Sequence, residues 1–300
     1  MNDTLASNEF GTLTRVVLKH VRDAFVDQRA VDAEWRTLNF TARPDFERAL
    51  REYDQFAEVI ASTGAEVLTL PQACGVGLDS IYVRDASTVT PHGVVLCGMV
   101  KAQREGEPSA QRAAYEAWGL TVAGAIEPPG TLEGGDLVWL DRHTLVAGRG
   151  YRTNDEGIRQ LRALVGTGVE LIVVPLPHWK GPGDVFHLMS IISPVDTDLA
   201  VVYSPLMPVP FREYLGTRGI GLVEVPDEEF ELMGANVLAL GPRTCLMVEG
   251  CPKTRARLER AGADVRVYAG TEISVKGGGG PTCLTRPIGR HARGRVSVLH

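Results

Sequence analysis

The amino-acid sequence predicts a five-bladed α/β propeller, a single domain built from five strand-strand-helix-strand repeats. The first observation is a recurring junction, in which an amphipathic stretch ends in a glycine and a short apolar run follows at once. These glycines are Gly64, Gly119, Gly168, Gly219 and Gly262, separated by 55, 49, 51 and 43 residues. The second is that no linker rich in proline, glycine and serine divides the chain. Because one such unit cannot bury both faces of its sheet, five should close around an axis; a two-domain α/β protein with similar-looking units is the alternative.

The helices of the repeat are predicted from apolar spacing and from their end signals. Residues 44–60 carry apolar side chains at helical spacing with a proline near the start. A second helix begins at Asn154, which is a good capping residue and is followed by an acidic first turn. Shorter helices are predicted at residues 109–118, 210–215 and 252–260. Each junction glycine then occupies the position where a helix C-terminus needs a positive φ angle.

Two short strands precede each helix. The clearest pairs are residues 136–140 with 144–148 and residues 237–240 with 244–248, each joined by a tight turn. The strand after the junction glycine completes the unit.

Composition indicates one soluble globular domain. The chain has 300 residues, of which 44% are hydrophobic and 23% charged. No run approaches the roughly 20 apolar residues of a membrane span, and the polar N-terminus lacks the features of a signal peptide. We therefore expect a cytoplasmic protein without membrane contact. The predicted boundaries are a disordered N-terminus at 1–10, one catalytic domain at 11–287 and a basic C-terminal tail at 288–300.

Charge and cysteine content narrow the classes of partner. A net charge of −6 argues against sequence-independent nucleic-acid binding and mildly favours a cationic ligand. The five cysteines form no C-x-x-C pair, which argues against a zinc or redox pair and for free thiols. A homo-oligomer is compatible with the sequence.

Polar residues follow each junction glycine 14–21 positions later, at the start of the next unit. They are Asp79 and Asp85, Glu133 and Asp136, His187, Asn236, and Cys283. In a closed repeat, equivalent positions converge on the axis, so these side chains should meet in one channel. This placement is what distinguishes His187 from the other six histidines of the chain.

Cys283 ends the segment Lys276-Gly-Gly-Gly-Gly-Pro-Thr-Cys283, whose small residues allow the backbone to approach a ligand closely. A glycine hinge beside a buried cysteine is the alternative. A cysteine nucleophile needs a base or a lowered pKa, which a nearby histidine supplies, and a carboxylate then orients that histidine. Cys283, His187 and Glu133 meet this requirement if the repeat closes.

The remaining acidic residues add negative charge to the channel. Buried carboxylates are costly unless paired, and a cationic ligand would pair with Asp85 and Asp136. Internal salt bridges are the alternative, for example from Asp85 to Arg84 or to one of Arg104, Arg149 and Arg152.

Three motifs resemble the guanidino-group-modifying enzymes, the superfamily of arginine deiminase, dimethylarginine dimethylaminohydrolase and the amidinotransferases. They are Glu133-Gly134-Gly135-Asp136, the region around His187-Leu188, and Gly278-Gly279-Gly280-Pro281-Thr282-Cys283; the segment Arg152-Thr153-Asn154 is also similar to their substrate-carboxylate region. The resemblance implies the five-bladed α/β propeller known as the pentein fold, in agreement with the repeat.

The resemblance also implies roles. Cys283 would attack the guanidinium carbon to give a covalent thiouronium, and His187 would protonate the leaving amine and then activate water. Glu133 would hold His187 and the substrate, and Asp85 would bind the guanidinium nitrogens. Arg104 and Arg152 are the candidates for a substrate carboxylate. Asp79, Asp136 and Asn236 complete the expected substrate site, and no metal or organic cofactor is implied.

Two departures from the family pattern favour a particular class of substrate. Deiminases and amidinotransferases typically carry an aspartate two residues after the histidine, where this chain has Met189. This departure argues against plain arginine deimination and against amidino transfer. Dimethylargininases typically have an acidic pair where this chain has Arg84-Asp85, which argues against a close match to them. We therefore expect a hydrolase of C–N bonds other than peptide bonds that acts on a small substituted guanidino or ureido compound and is dimethylargininase-like in its reaction. An amidinotransferase, a non-catalytic pentein binding module and a redox-sensing thiol protein are the alternatives.

Overall fold

The structure is a computed structural model that describes residue 5, residues 7–183 and residues 186–291. Its strands are β1 Thr12–Leu18, β2 Glu66–Thr69, β3 Ser87–Thr90, β4 Gly93–Leu96, β5 Val122–Ala125, β6 Leu137–Asp141, β7 Thr144–Arg149, β8 Glu170–Pro175, β9 Ile192–Asp196, β10 Leu199–Val202, β11 Gly221–Glu224, β12 Leu238–Gly241, β13 Thr244–Val248, β14 Asp264–Tyr268 and β15 Arg286–His291. Its α-helices are α1 Val21–Ala24, α2 Gln28–Glu34, α3 Phe46–Ala61, α4 Glu107–Ala117, α5 Asp155–Val165, α6 Val209–Thr217, α7 Asp227–Phe230 and α8 Pro252–Arg260.

The strands form five three-stranded sheets, one for each predicted repeat. In every sheet the first two strands pair antiparallel, and the third pairs parallel to the middle strand after a helical crossover. The fifth sheet has the order β15-β1-β2, so it combines the last strand with the first two strands of the chain. That pairing closes the ring and confirms the five-bladed α/β propeller.

The helix ends follow the predicted signals at most junctions. The side chains of Asp45 and Asn154 accept hydrogen bonds from backbone amides in the first turns of α3 and α5. Gly64, Gly119, Gly219 and Gly262 have positive φ angles of 70° to 84°. The prediction for Gly168 is wrong, because α5 ends at Val165 and its cap is Gly166, with φ of 77°. The left-handed turn is therefore made two residues earlier.

The ends of the domain differ from the predicted boundaries. Strand β15 continues to His291 because residues 286–291 pair with β1, so residues 288–291 belong to the sheet and not to a tail. At the other end, Glu9 and Phe10 are buried, so the ordered part begins before residue 11. The rest of the predicted tail, residues 292–300, and residues 1–4 and 6 lie outside the described residues.

The buried apolar side chains fill the sheets and the spaces under the helices, and the connection between β1 and α3 adds α1 and α2, which were not predicted. Within the described ranges, no helix is both long and apolar enough to cross a bilayer. The connections that lead into β3, β6, β9, β12 and β15 carry the side chains predicted to converge.

Candidate active site

Cys283 lies in the loop before β15, at the wall of a cavity of about 180 Å³. The glycines that precede it are explained by close packing. A Cβ atom on Gly279 would lie 2.5 Å from the ring of Tyr82, and one on Gly280 would lie 2.6 Å from the amide of Asn236. Because real Cβ contacts are longer than this, only glycine lets the loop pass between these two side chains. The loop therefore presents the thiol to the cavity on a tightly held backbone.

Asn236 positions the thiol from the neighbouring repeat. Its amide Nδ2 lies 3.4 Å from Cys283 Sγ and its Oδ1 accepts hydrogen bonds from the backbone N and the hydroxyl of Thr282, at 3.0 and 2.8 Å. Both ends of the amide are thus used to hold the Thr282–Cys283 segment.

His187 and Glu133 form a buried pair beside the cavity. Glu133 Oε2 is 2.8 Å from His187 Nε2, and both side chains are almost fully buried. The two glycines that follow Glu133 make room for this pair: a Cβ on Gly135 would lie 2.5 Å from His187 Nδ1. His187 lines the cavity and Glu133 lies behind it, so Glu133 acts on the cavity through the imidazole.

Asp85 presents one carboxylate oxygen toward His187 and uses the other internally. Its Oδ2 accepts a 2.8 Å hydrogen bond from Arg104 Nη1, and Arg104 is held in turn by two 2.8 Å bonds to Glu107. Asp85 Oδ1 accepts no hydrogen bond from any described residue, and His187 Nδ1 is 3.9 Å away. The salt bridge to Arg104 that was the alternative prediction is therefore present on Oδ2, and the cation site at Asp85 stays a prediction.

The other predicted residues divide into two groups. Asp79 and Arg104 line the cavity, where Asp79 pairs with Lys101 at 3.1 Å. Asp136 and Arg152 do not: Asp136 accepts bonds from Thr153 and from the backbone of Leu188, and Arg152 Nη1 is 3.9 Å from Glu133 Oε1. These two residues lie behind the His187–Glu133 pair.

Electrostatics set the protonation of the pair and of the thiol. Burial alone would lower the pKa of His187, but the Asp85, Asp136 and Glu133 carboxylates outweigh it and raise the pKa to about 9. Burial and then the Asp85 carboxylate raise the pKa of Cys283 to about 11, against smaller opposing contributions from Asn236 and Arg84. Burial opposes ionisation of Asp85, yet His187 and Arg104 hold its pKa below the ordinary value. At neutral pH the site therefore holds an imidazolium, ionised carboxylates and a neutral thiol.

Asp85, Glu133 and His187 also offer donor atoms that lie within 4.8 Å of one another, the spacing of a metal site. His187 Nε2 is already bonded to Glu133, and the raised pKa of the ring favours a proton over a metal on its nitrogens. The absence of a metal cofactor stays a prediction.

Several cavity residues lie outside the predicted set of site residues. Tyr82 packs against the glycine loop, and the apolar side chains of Phe186, Met189, Met233 and Ala235 also line the cavity. At the mouth, Trp179 and Lys180 come from the loop at 177–183, and Lys180 Nζ is 2.5 Å from Glu231 Oε1. These residues lie outside the repeat-equivalent positions, so the repeat gave no signal for them.

The comparisons with known proteins agree with this geometry. The family model described as "N,N dimethylarginine dimethylhydrolase, eukaryotic" matches residues 27–290. The chain belongs to this family. It is 31% identical over 217 residues to the N(G),N(G)-dimethylarginine dimethylaminohydrolase of Streptomyces coelicolor, covering 71% of this chain and 76% of that protein. The family membership confirms the predicted superfamily and a hydrolase of C–N bonds other than peptide bonds.

Solved structures show the same fold. A variant of the dimethylarginine dimethylaminohydrolase of Pseudomonas aeruginosa complexed with citrulline matches with a TM-score of 0.73 at 21% identity, over 92% of this chain and 99% of that one. The N-terminal domain of the cyanobacterial arginine dihydrolase ArgZ, covalently bound to a reaction intermediate, matches with a TM-score of 0.77 at 22% identity, over 92% and 98% of the two chains. These likenesses confirm the pentein fold.

Proposed function

We propose that this member of the family is a cysteine-dependent hydrolase of a substituted guanidino compound such as N,N-dimethylarginine, acting through a covalent thiouronium. One observation carries the proposal: Cys283, His187 and Asp85 face one cavity, and Glu133 is bonded to the imidazole from behind. The names of the relatives support the substrate class, since the Streptomyces relative is a dimethylarginine dimethylaminohydrolase.

The substrate cation would bind against Asp85. Its Oδ1 is buried and lacks a hydrogen-bond donor among the described residues, so a guanidinium N–H would supply the missing partner. The same cation would weaken the effect of Asp85 on Cys283, which is one of the causes of the raised thiol pKa. Ligand binding would therefore favour the thiolate form of Cys283 at the moment when a guanidinium carbon is present for it to attack.

In the first step, Cys283 Sγ bonds to the guanidinium carbon, and the bond from that carbon to the substituted nitrogen breaks. His187 enters as an imidazolium and gives its proton to the departing amine, and the thiol proton restores the imidazolium. The products of this step are a free amine and an S-linked thiouronium that retains the rest of the substrate.

In the second step, water adds to the thiouronium carbon and the C–S bond breaks. His187 first releases its proton to solvent and then accepts a proton from the attacking water. Glu133 holds the ring through its 2.8 Å bond during this step. Cys283 leaves as a thiolate and is reprotonated. The released product is a ureido compound, and one proton is passed to solvent over the two steps.

The apolar part of the cavity lining supports a substituted nitrogen. Met189 is buried at the cavity, where the family's deiminases typically have an aspartate, and Met233 and Ala235 line the same cavity. An alkyl group gains about 0.8 kcal/mol per buried CH₂ from such a surface, whereas an unsubstituted N–H would lose its hydrogen-bond partner. We expect Met189→Asp to shift the preference toward unsubstituted arginine, measured as the ratio of kcat/KM values, and Met189→Leu to leave that ratio unchanged. Equal ratios in Met189→Asp and the wild type would contradict this role.

The experiment that tests the function is intact-protein mass spectrometry after brief incubation with N,N-dimethylarginine or arginine, quenched in acid. A hydrolase adduct has the mass of the substrate minus its small amine, and dimethylamine appears in solution. An amidinotransferase adduct carries only the amidino carbon and its two nitrogens, so the two mechanisms give different masses.

Matched variants make the result specific. Cys283→Ser should give neither adduct nor product, while Cys74→Ser, at an exposed cysteine outside the cavity, should behave as the wild type. His187→Ala should leave the thiol open to alkylation but stop turnover. Product formed by Cys283→Ser at the wild-type rate would remove the mechanism, and absence of adduct and product with every guanidino compound would favour the binding-module alternative.

A further inference from the structure

Three buried arginines lie together behind the cysteine loop, and the proposed reaction uses none of them. Arg84, Arg286 and Arg290 are at most 5% exposed. Arg286 and Arg290 both belong to β15 and are four positions apart. Arg84 is buried and does not line the substrate cavity.

The hydrogen bonds of these arginines satisfy only part of their donors. Arg84 Nε donates to the carbonyl of Thr282 at 2.7 Å and Arg286 Nη2 to the carbonyl of Arg84 at 2.6 Å. Arg290 Nη1 donates to the carbonyls of Gly11 and Ala239 at 2.6 and 2.8 Å. By contrast, Arg84 Nη2, Arg286 Nε, and Arg290 Nε and Nη2 are buried without a partner among the described residues.

The charge of the cluster is also unbalanced. Among the described residues, Glu9 is the one carboxylate that forms an ion pair with the cluster, with its Oε2 3.3 Å from Arg84 Nη1. The Asp85 carboxylate acts on Arg286 only over a longer distance, so the three guanidinium groups have a single ion-pair partner. Burial lowers the pKa of Arg286 and Arg290 to about 10, and the charge of Arg84 adds to the effect. Both side chains still carry their charge at neutral pH. Uncompensated charge is strongly unfavourable in a protein interior, and water could satisfy the donors without balancing the charge.

We propose that Arg84 and Arg290 bind a small inorganic anion of the halide class between them, with Arg286 adding to the positive potential. The unpartnered donors of Arg84 and Arg290 would contact the anion. Together with the Glu9 carboxylate, the anion would neutralise a second positive charge of the cluster. A halide suits the site because its charge needs N–H donors without a fixed geometry. The site is separate from the cavity at Cys283, whose lining contains none of the three arginines.

The anion would stabilise the loop that carries the cysteine. Arg84 donates from Nε to the Thr282 carbonyl, and its backbone N donates to the Cys283 carbonyl at 3.2 Å. Fixing the Arg84 side chain by a bound anion therefore fixes the backbone of the cysteine loop from the side opposite the substrate.

The test is thermal unfolding of the full chain in sodium chloride or bromide, against sodium gluconate at the same ionic strength, because gluconate is too large for a buried site. We expect a saturating rise in Tm of about 5 °C with either halide, since ligand that binds only the folded state stabilises it. Arg290→Met should abolish the rise, and Arg51→Met, at an exposed arginine of α3, should retain it. Equal Tm values in halide and gluconate would overturn the proposal.

Two further measurements keep the test decisive if Arg290→Met fails to fold. Glu9→Gln removes the competing carboxylate, so its Tm should depend on halide more steeply than that of the wild type; an equal or smaller dependence would contradict the site. Crystals grown in bromide should show an anomalous peak between Arg84 and Arg290. Bromide found only elsewhere would refute the location.

Discussion

Replacement of Gly135 by alanine tests whether a glycine is required at this position to leave space for the imidazole ring of His187. A Cβ atom there would lie 2.5 Å from His187 Nδ1, 2.7 Å from its Cγ and 2.9 Å from Asp85 Oδ1. Ordinary Cβ contacts begin near 3.4 Å, so the ring has to move by about 0.9 Å. A displacement of about 1 Å of a reacting group can cost roughly 10²-fold in rate, and overpacking costs about 1–3 kcal/mol in stability.

The assay is steady-state kinetics with the substrate identified by mass spectrometry, together with urea unfolding. We expect Gly135→Ala to lower kcat about 100-fold while the thiol remains open to alkylation. Gly216→Ala is the matched control, because nothing lies within 4 Å of that Cβ position and the residue is in helix α6. A kcat for Gly135→Ala within twofold of the wild type would show that the glycine is not needed for the position of His187.

Three further predictions concern the charges and hydrogen bonds of the site. Glu133→Gln should lower the pKa of His187 from about 9 by about 1–2 units, because a charge-assisted bond contributes about 1.5–3 kcal/mol, and histidine NMR titration measures it. Because the pKa of His187 is higher in the folded state, protonation of the ring stabilises the fold fully below pH 6.5, and this stabilisation is lost as the pH rises through about 9. The wild type should therefore lose more free energy of unfolding than Glu133→Gln across that range. Equal losses would count against a His187–Glu133 ion pair. Asn236→Ala should cost about 1–2 kcal/mol in urea unfolding, because the two donors of Thr282 lose their acceptor, and unchanged stability would exclude that role. Alkylation of Cys283 by iodoacetamide without substrate should still accelerate between pH 8.5 and 10, as a thiol pKa of about 11 requires, with Cys283→Ser as the blank; a plateau below pH 9 would refute the raised pKa.

Much of the fold was predictable because each repeat is marked by sequence signals that depend only on neighbouring residues. Helix caps such as Asn154 and the junction glycines depend on a few neighbouring residues, so they can be recognised without tertiary contacts. The placement of β15 was not predictable in the same way. Its partner is β1, and nothing near Arg286 indicates a pairing with residues at the other end of the chain.

The candidate site shows the same division. Cys283, His187 and Asp85 were predicted from equivalent positions, and the structure brings them to one cavity. The partners of Arg104 could not be predicted, because the choice between a substrate carboxylate and Asp85 depends on side-chain distances. The roles of these residues in the reaction stay proposals, as do the cytoplasmic location and the absence of nucleic-acid partners.

The pairing of β15 with β1 has a consequence for how the protein matures during synthesis. The loop that carries Cys283 leads directly into β15, and β15 is anchored by β1, which is synthesised before every other described strand. The first four sheets can form while the chain is growing, but the fifth must wait for its last strand. The thiol is therefore brought beside His187 only when the ring closes, so a nascent or truncated chain does not carry an assembled reactive centre.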